Sequence, residues 1–103
     1  MAYKLRFVQR FKQDKEKEFM DLEKKFIQLE QTVKEFPKGK RFIPFSGREP
    51  VNTLIWECEF PTLEEANQAV DFLGNDPRHE ELFKQQVQYF IESYTEIFRT
   101  FEG

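Results

Sequence analysis

The stretch Asn52-Thr53-Leu54-Ile55-Trp56-Glu57-Cys58-Glu59-Phe60 decides the fold. Asn52, Leu54, Trp56, Cys58 and Phe60 fall on one face of an extended chain, and Thr53, Ile55, Glu57 and Glu59 on the other. Period two predicts a strand with one buried face. Just downstream, Thr62-Leu63-Glu64-Glu65 is a capping box, with Thr62 as N-cap and Glu65 reaching back. The helix it opens carries Leu63, Ala66, Val70 and Leu73, and Gly74-Asn75 should break it. Asp76-Pro77 then restarts a helix, with Asp as N-cap and Pro in the first position. Leu82, Phe83, Val87 and Phe90 should form its apolar face, and Ser93–Phe101 alternates as a last strand.

Upstream, Gly47-Arg48-Glu49-Pro50 is a turn at the midpoint of the chain. Before it, Lys40–Ser46 reads as a strand interrupted by Pro44, which places it at a sheet edge or a bulge. Phe36-Pro37-Lys38-Gly39 should end an amphipathic helix whose stripe is Phe19, Leu22, Phe26, Leu29 and Val33, with Asp14 as N-cap. Tyr3–Phe11 alternates again: Tyr3, Leu5, Phe7 and Phe11 share one face, Lys4, Arg6, Val8 and Arg10 the other. The order is β-α-β-β-α-β in two halves of similar length. It predicts a single α+β domain over residues 1–103, ferredoxin-like, with a four-stranded antiparallel sheet and both helical layers on one face. The first and third strands should pair in the middle, so that Arg6 and Arg10 share a face with Glu57 and Glu59.

Composition sets outer bounds. The chain of 103 residues is one domain's worth, and its 13 phenylalanines can fill one core beneath a surface in which 34% of residues are charged. No apolar run is long enough to span a bilayer, no signal-peptide segment is expected, and the lone Cys58 has no internal partner. These readings point to a cytoplasmic protein. Residues 1–48 carry a net charge of +6 and residues 49–103 a net charge of −9. The halves should neutralise one another on folding, and the acidic total argues against nucleic acid as a partner.

Helices on one face leave the other face of the sheet bare. It would carry Val8 and Ile55, with either Tyr94 and Phe98 or Ile97 and Phe101. An apolar face of that size predicts a homodimer formed face to face through the open sheet.

In element order, length and half-buried second sheet face the chain resembles the dimeric α+β barrel superfamily, which includes the antibiotic-biosynthesis monooxygenases. The resemblance spans the chain as architecture. In some cofactor-independent monooxygenases of that superfamily an Asn and a Trp four residues apart on a strand face the cavity between sheet and helices. Asn52 and Trp56 stand at that spacing. The resemblance implies an Asn amide stabilising a substrate oxyanion, a Trp wall, and no cofactor or metal. The Tyr that follows downstream in some members is replaced here by Thr62. The alternative is that Asn52 merely starts a strand and Trp56 is core. Haem-degrading members use an Asn on the first strand, where this chain has Lys4, Arg6, Val8 and Arg10, so haem is not expected.

His79, the sole histidine, borders the buried face of its helix. It is either a neutral packing residue or the general base of a cavity. Cys58 reads as an inert buried thiol, and Glu57 and Glu59 as partners of the strand arginines. The expectation is a cytoplasmic homodimer that binds a small organic molecule between sheet and helices. Catalytic residues, if it is a monooxygenase acting on an aromatic or polyketide-like substrate, are Asn52, Trp56 and His79. A structural or interaction protein with a solid Phe-rich core is the remaining alternative.

Overall fold

The computed structural model describes residues 2–102. Strands β1 (Tyr3–Phe11), β2 (Lys40–Phe42), β3 (Thr53–Phe60) and β4 (Phe90–Arg99) form one antiparallel sheet in the order β2-β3-β1-β4. Helices α1 (Glu16–Thr32), α2 (Leu63–Asn75) and α3 (Pro77–Gln86) cover one face. The architecture is the ferredoxin-like α+β arrangement that the sequence predicts, with β1 and β3 central.

Several element limits differ from the sequence reading. Asp14 is not an N-cap: the chain first turns as a 3-10 helix over Gln13–Lys15, and α1 begins at Glu16 with no side-chain cap. The second strand is only Lys40–Phe42. It ends before Pro44, which has no N–H to give a ladder, and lies at the sheet edge. Gly74 and Asn75 stay helical, and the break falls one residue later at Asp76. There one carboxylate caps the next helix, accepting from the backbone N–H groups of Arg78 (2.9 Å) and His79 (3.3 Å). The Arg78 guanidinium beside it, helped by those two N–H groups, holds the Asp76 carboxyl down at about 2. Thr62 caps α2 by accepting from Glu65 N–H, and its hydroxyl donates to the Glu65 carboxylate.

The helical face of α3 does not run on to Phe90. A 3-10 turn over Val87–Tyr89 intervenes, and Phe90 opens β4. The register of β4 on β1 skips Ile91: Arg10 faces Glu92 and Phe11 faces Phe90. This bulge turns Phe90 toward the helices, against Phe19 and Phe83. It also settles the uncovered face in favour of Tyr94 and Phe98, which lie opposite Val8 and Lys4. On that face Arg6 pairs with Glu57 at 2.8 Å and reaches Glu96, while Lys4 approaches Glu57 and Glu59. Arg10 pairs with Glu92 rather than with Glu57 or Glu59, because its position on β3 is occupied by Thr53.

Between sheet and helices the core is two clusters. Phe11, Phe19 and Leu54 make one, and Leu5, Phe36, Trp56, Ala69 and Leu73 the other.

Candidate functional site

The inward positions of β3 run Leu54, Trp56, Cys58, and Trp56 is where the core stops being solid. Its indole stacks on its cross-strand neighbour Phe7, centroids 5.1 Å apart. Gly39 lies against the other side so closely that a Cβ there would come within 2.1 Å of the ring. The glycine is required by this contact, not by a turn. Trp56 Nε1 donates to Glu30 Oε1 at 2.8 Å, and the Gly39 N–H points at the same oxygen at 3.4 Å.

Glu30 belongs to a buried ionic group. Glu23 and Glu30 stand seven residues apart on the inward stripe of α1, two turns of helix, and both are more than 90% buried. Arg41, from the edge strand β2, bridges them: Nε meets Glu23 Oε2 at 2.6 Å and Nη1 meets Glu30 Oε2 at 2.5 Å. Gln86, at the end of α3 and fully buried, donates from Nε2 to Glu23 Oε1 at 3.0 Å and toward the Phe19 carbonyl at 3.4 Å. Both of those neighbours are acceptors, which fixes the orientation of the amide. Gln86 Oε1 is left buried with no partner.

Beside this group lies a cavity of about 50 Å³. Phe7, Phe26, Phe36, Trp56, Leu73 and Phe83 supply its apolar wall, and Gln9, Glu23, Glu30, Arg41, His79 and Gln86 its polar one. A water needs roughly 10–15 Å³ by this kind of measure, so the space suits a few waters or a ligand of a few heavy atoms. His79 packs on Phe26 and Phe83 at its rim. Burial pushes the His79 imidazole below its ordinary range, against the opposing pull of Asp76 and Glu30. It is therefore neutral at pH 7, with one nitrogen able to accept a proton.

The three residues singled out from the sequence do not converge. Trp56 and His79 line the cavity; Asn52 is not among the lining residues. Asn52 lies just before β3, where its amide donates to the Phe11 carbonyl at 2.7 Å and its own carbonyl accepts from Phe11 N–H. It satisfies backbone at the bulge that Ile91 opens in the β1–β4 ladder. Cys58 is half-buried and its thiol donates to the Lys38 carbonyl; burial pushes it up, away from reactivity. Glu23, Glu30 and Gln86 escaped the sequence reading, and Arg41, which reads from sequence as part of a solvated basic patch with Lys38, Lys40 and Arg48, is instead buried in this ion pair. The signal for two of them was present: Glu23 and Glu30 follow Phe19 and Phe26 by four residues, carboxylates set inside an apolar stripe. Among the described residues no group of three or more His, Cys, Asp or Glu is placed to hold a metal ion, and no helix is long and apolar enough to cross a membrane.

No family model matches the chain, and no curated protein matches it. Solved structures do. A NIPSNAP family protein from Agrobacterium tumefaciens superposes with a TM-score of 0.78 at 14% identity, over 99% of this chain and 95% of that one. An antibiotic biosynthesis monooxygenase superposes with a TM-score of 0.74 at 9% identity, over 97% and 99%. A dimeric protein of unknown function and ferredoxin-like fold from Bacteroides fragilis gives 0.68 at 15% identity, over 96% of each chain. At such identities the likeness is one of fold. The chain has a ferredoxin-like fold of the antibiotic-biosynthesis-monooxygenase type, as the sequence reading expects, and the NIPSNAP structures share it.

Proposed function

We propose that the chain is a cytoplasmic homodimer that binds a small organic molecule between sheet and helices, beside Trp56 and His79. The observation that carries this reading is the cavity itself. A solid core would leave no space beside Trp56. Here rings on one side face a set of buried hydrogen-bonding groups on the other, the mixture typical of a ligand site. Dimerisation through the open sheet face is supported by the exposed Phe42 and Phe98 on that side, beside Tyr94, and by the dimeric state of the Bacteroides protein, whereas Val8 and Ile55 are already buried within the chain. A lone, half-buried thiol suits a reducing compartment.

Trp56 is the only tryptophan, so its emission reports the cavity directly. A screen of small aromatic and polar fragments should give saturable changes in that emission, lost in Trp56→Phe by a second readout such as ligand-observed NMR. A chain that binds none of them, with Trp56 emission unmoved, removes the ligand reading. Light scattering should give twice the chain mass; a monomer at every concentration removes the dimer.

A second reading, a cofactor-independent monooxygenase, is favoured by one observation: Trp56 and the neutral His79 face the same space. In it Trp56 walls an aromatic or polyketide-like substrate and His79 takes its proton, which requires the cavity to open well beyond its volume of about 50 Å³. Asn52 enters only after its amide releases the Phe11 carbonyl. Oxygen uptake with an anthrone-type substrate, reduced at least tenfold in Trp56→Phe and His79→Phe, is the expected result. Absence of uptake removes this reading and leaves the first.

A further inference from the structure

The open face of the sheet is not evenly open. Thr53, Ile55 and Val8 point away from the helices, yet all three are buried. The connection from β2 to β3 supplies the cover. Its Glu49 accepts from the Tyr94 hydroxyl at 3.4 Å, and Tyr94 stands on β4, two strands or roughly 10 Å beyond β3. The connection therefore lies across the face as a strap, over the end that carries Thr53, Val8 and Tyr94. The other end stays bare, and there Phe98 is 44% exposed beside Lys4 and Arg6. The strap turns apolar side chains to solvent as well: Phe45 is 98% exposed, Ile43 and Val51 more than half, and Phe42 at its root 47%. Apolar side chains gathered on one surface in this way mark a contact surface.

Charge and area favour a second copy of the chain as the partner. On this face β1 points three cations outward and β2 one, against two carboxylates on β3 and two on β4, joined in pairs such as Arg6–Glu57 and Arg10–Glu92. The strap adds Arg48 and Glu49, so the face as a whole carries no net charge. Such a surface does not draw in nucleic acid, and it does not repel its own copy across a twofold axis. The exposed parts of Phe42, Phe45 and Phe98 amount to roughly 300–450 Å² of ring surface. One side of a standard interface buries about 800 Å², of which about 450 Å² is apolar, and Ile43 and Val51 make up the difference. We infer that two copies meet through the strap, Phe45 of each chain seated beside Phe98 on the bare end of the other's sheet. The inference rests on the homodimer reading above and names the element that forms the contact.

Light scattering over a concentration series gives the association constant. The native chain should be dimeric in the micromolar range. Phe45→Ser changes a ring that stands in water in the single chain, so it should keep the native circular dichroism. It should weaken association by about thirtyfold or more, the size of an interface hot spot. Phe98→Ser should weaken it by about fivefold or more. Val87→Ser, at an exposed apolar residue on the turn after α3, should leave it within about twofold. A native dimer that Phe45→Ser leaves intact overturns the strap, and the open-face dimer stands if Phe98→Ser alone dissociates it. A Phe98→Ser dimer as tight as the native one overturns the seating of Phe45. A loss in Val87→Ser as large as that in Phe45→Ser moves the contact to the helices and overturns both strap and open face. A native chain that is monomeric at every concentration removes the dimer itself, and the strap contact with it.

Discussion

Leu54 and Trp56 are consecutive inward residues of one strand, yet they sit in opposite kinds of interior. Around Leu54 the core is solid: Phe11 stacks on Phe19 at 4.6 Å, Phe90 tilts onto Phe19, and Asn52 closes the end by holding the Phe11 carbonyl. Around Trp56 the same layers enclose a cavity edged with two carboxylates, a guanidinium and an amide. The β3 pattern does not change between the two ends. What changes is α1, which offers Phe19 to the first and Glu23 and Glu30 to the second. Two charged residues set within an apolar stripe turn packing into a site, because a buried carboxylate must bring its own partners.

The largest test of this contrast removes one partner from each end. Arg41→Ala should cost about 3–5 kcal/mol by chemical denaturation, since it strands two buried carboxylates. It should also shift Trp56 emission through Glu30. Phe19→Ala should cost about 3–5 kcal/mol at the solid end, with Trp56 emission unchanged. A shift of equal size in both variants would mean that the ends are one core. Gly39→Ala comes next. Its Cβ would overlap the indole, so a loss of about 1–3 kcal/mol with a displaced Trp56 is expected. Unchanged stability and emission would show that the close approach is not kept in solution.

Asn52→Ala should cost about 1–3 kcal/mol by orphaning the Phe11 carbonyl, while fragment binding at Trp56 stays as in the native chain. Loss of binding without loss of stability would bring Asn52 back into the site. The smallest effect is that of His79. Burial lowers its folded value below the usual 6.5, so the folded chain binds fewer protons than the unfolded one as pH falls. Its contribution to stability is present above pH 6.5 and declines below it. NMR titration of this single histidine should give a midpoint below 6.5, and His79→Phe should flatten the loss of stability between pH 6.5 and 5. A midpoint at or above 6.5 would place the ring in water or beside an unbalanced carboxylate.

The open face taught a smaller lesson. The alternation in β1 and β3 predicts Arg6 beside Glu57, and they meet. Arg10 goes to Glu92 because strand pairing on its other side sets that neighbour, and nothing within Tyr3–Phe11 specifies it.

Local chemistry alone settled the element types and their order, the Thr62 and Asp76 caps, the end of the second strand ahead of Pro44, and the inward face that carries Trp56. These follow from periodicity, from orphan N–H groups at helix starts and from the missing donor of proline, all of which act over a few residues. Tertiary structure decided the rest: the β4 bulge that aims Phe90, the tie between Asn52 and Phe11, and the gathering of Glu23, Glu30, Arg41 and Gln86 beside Trp56. These last groups come from three separate elements. A charge on an inward stripe is visible in the sequence, but the residue that neutralises it is chosen only when the layers close.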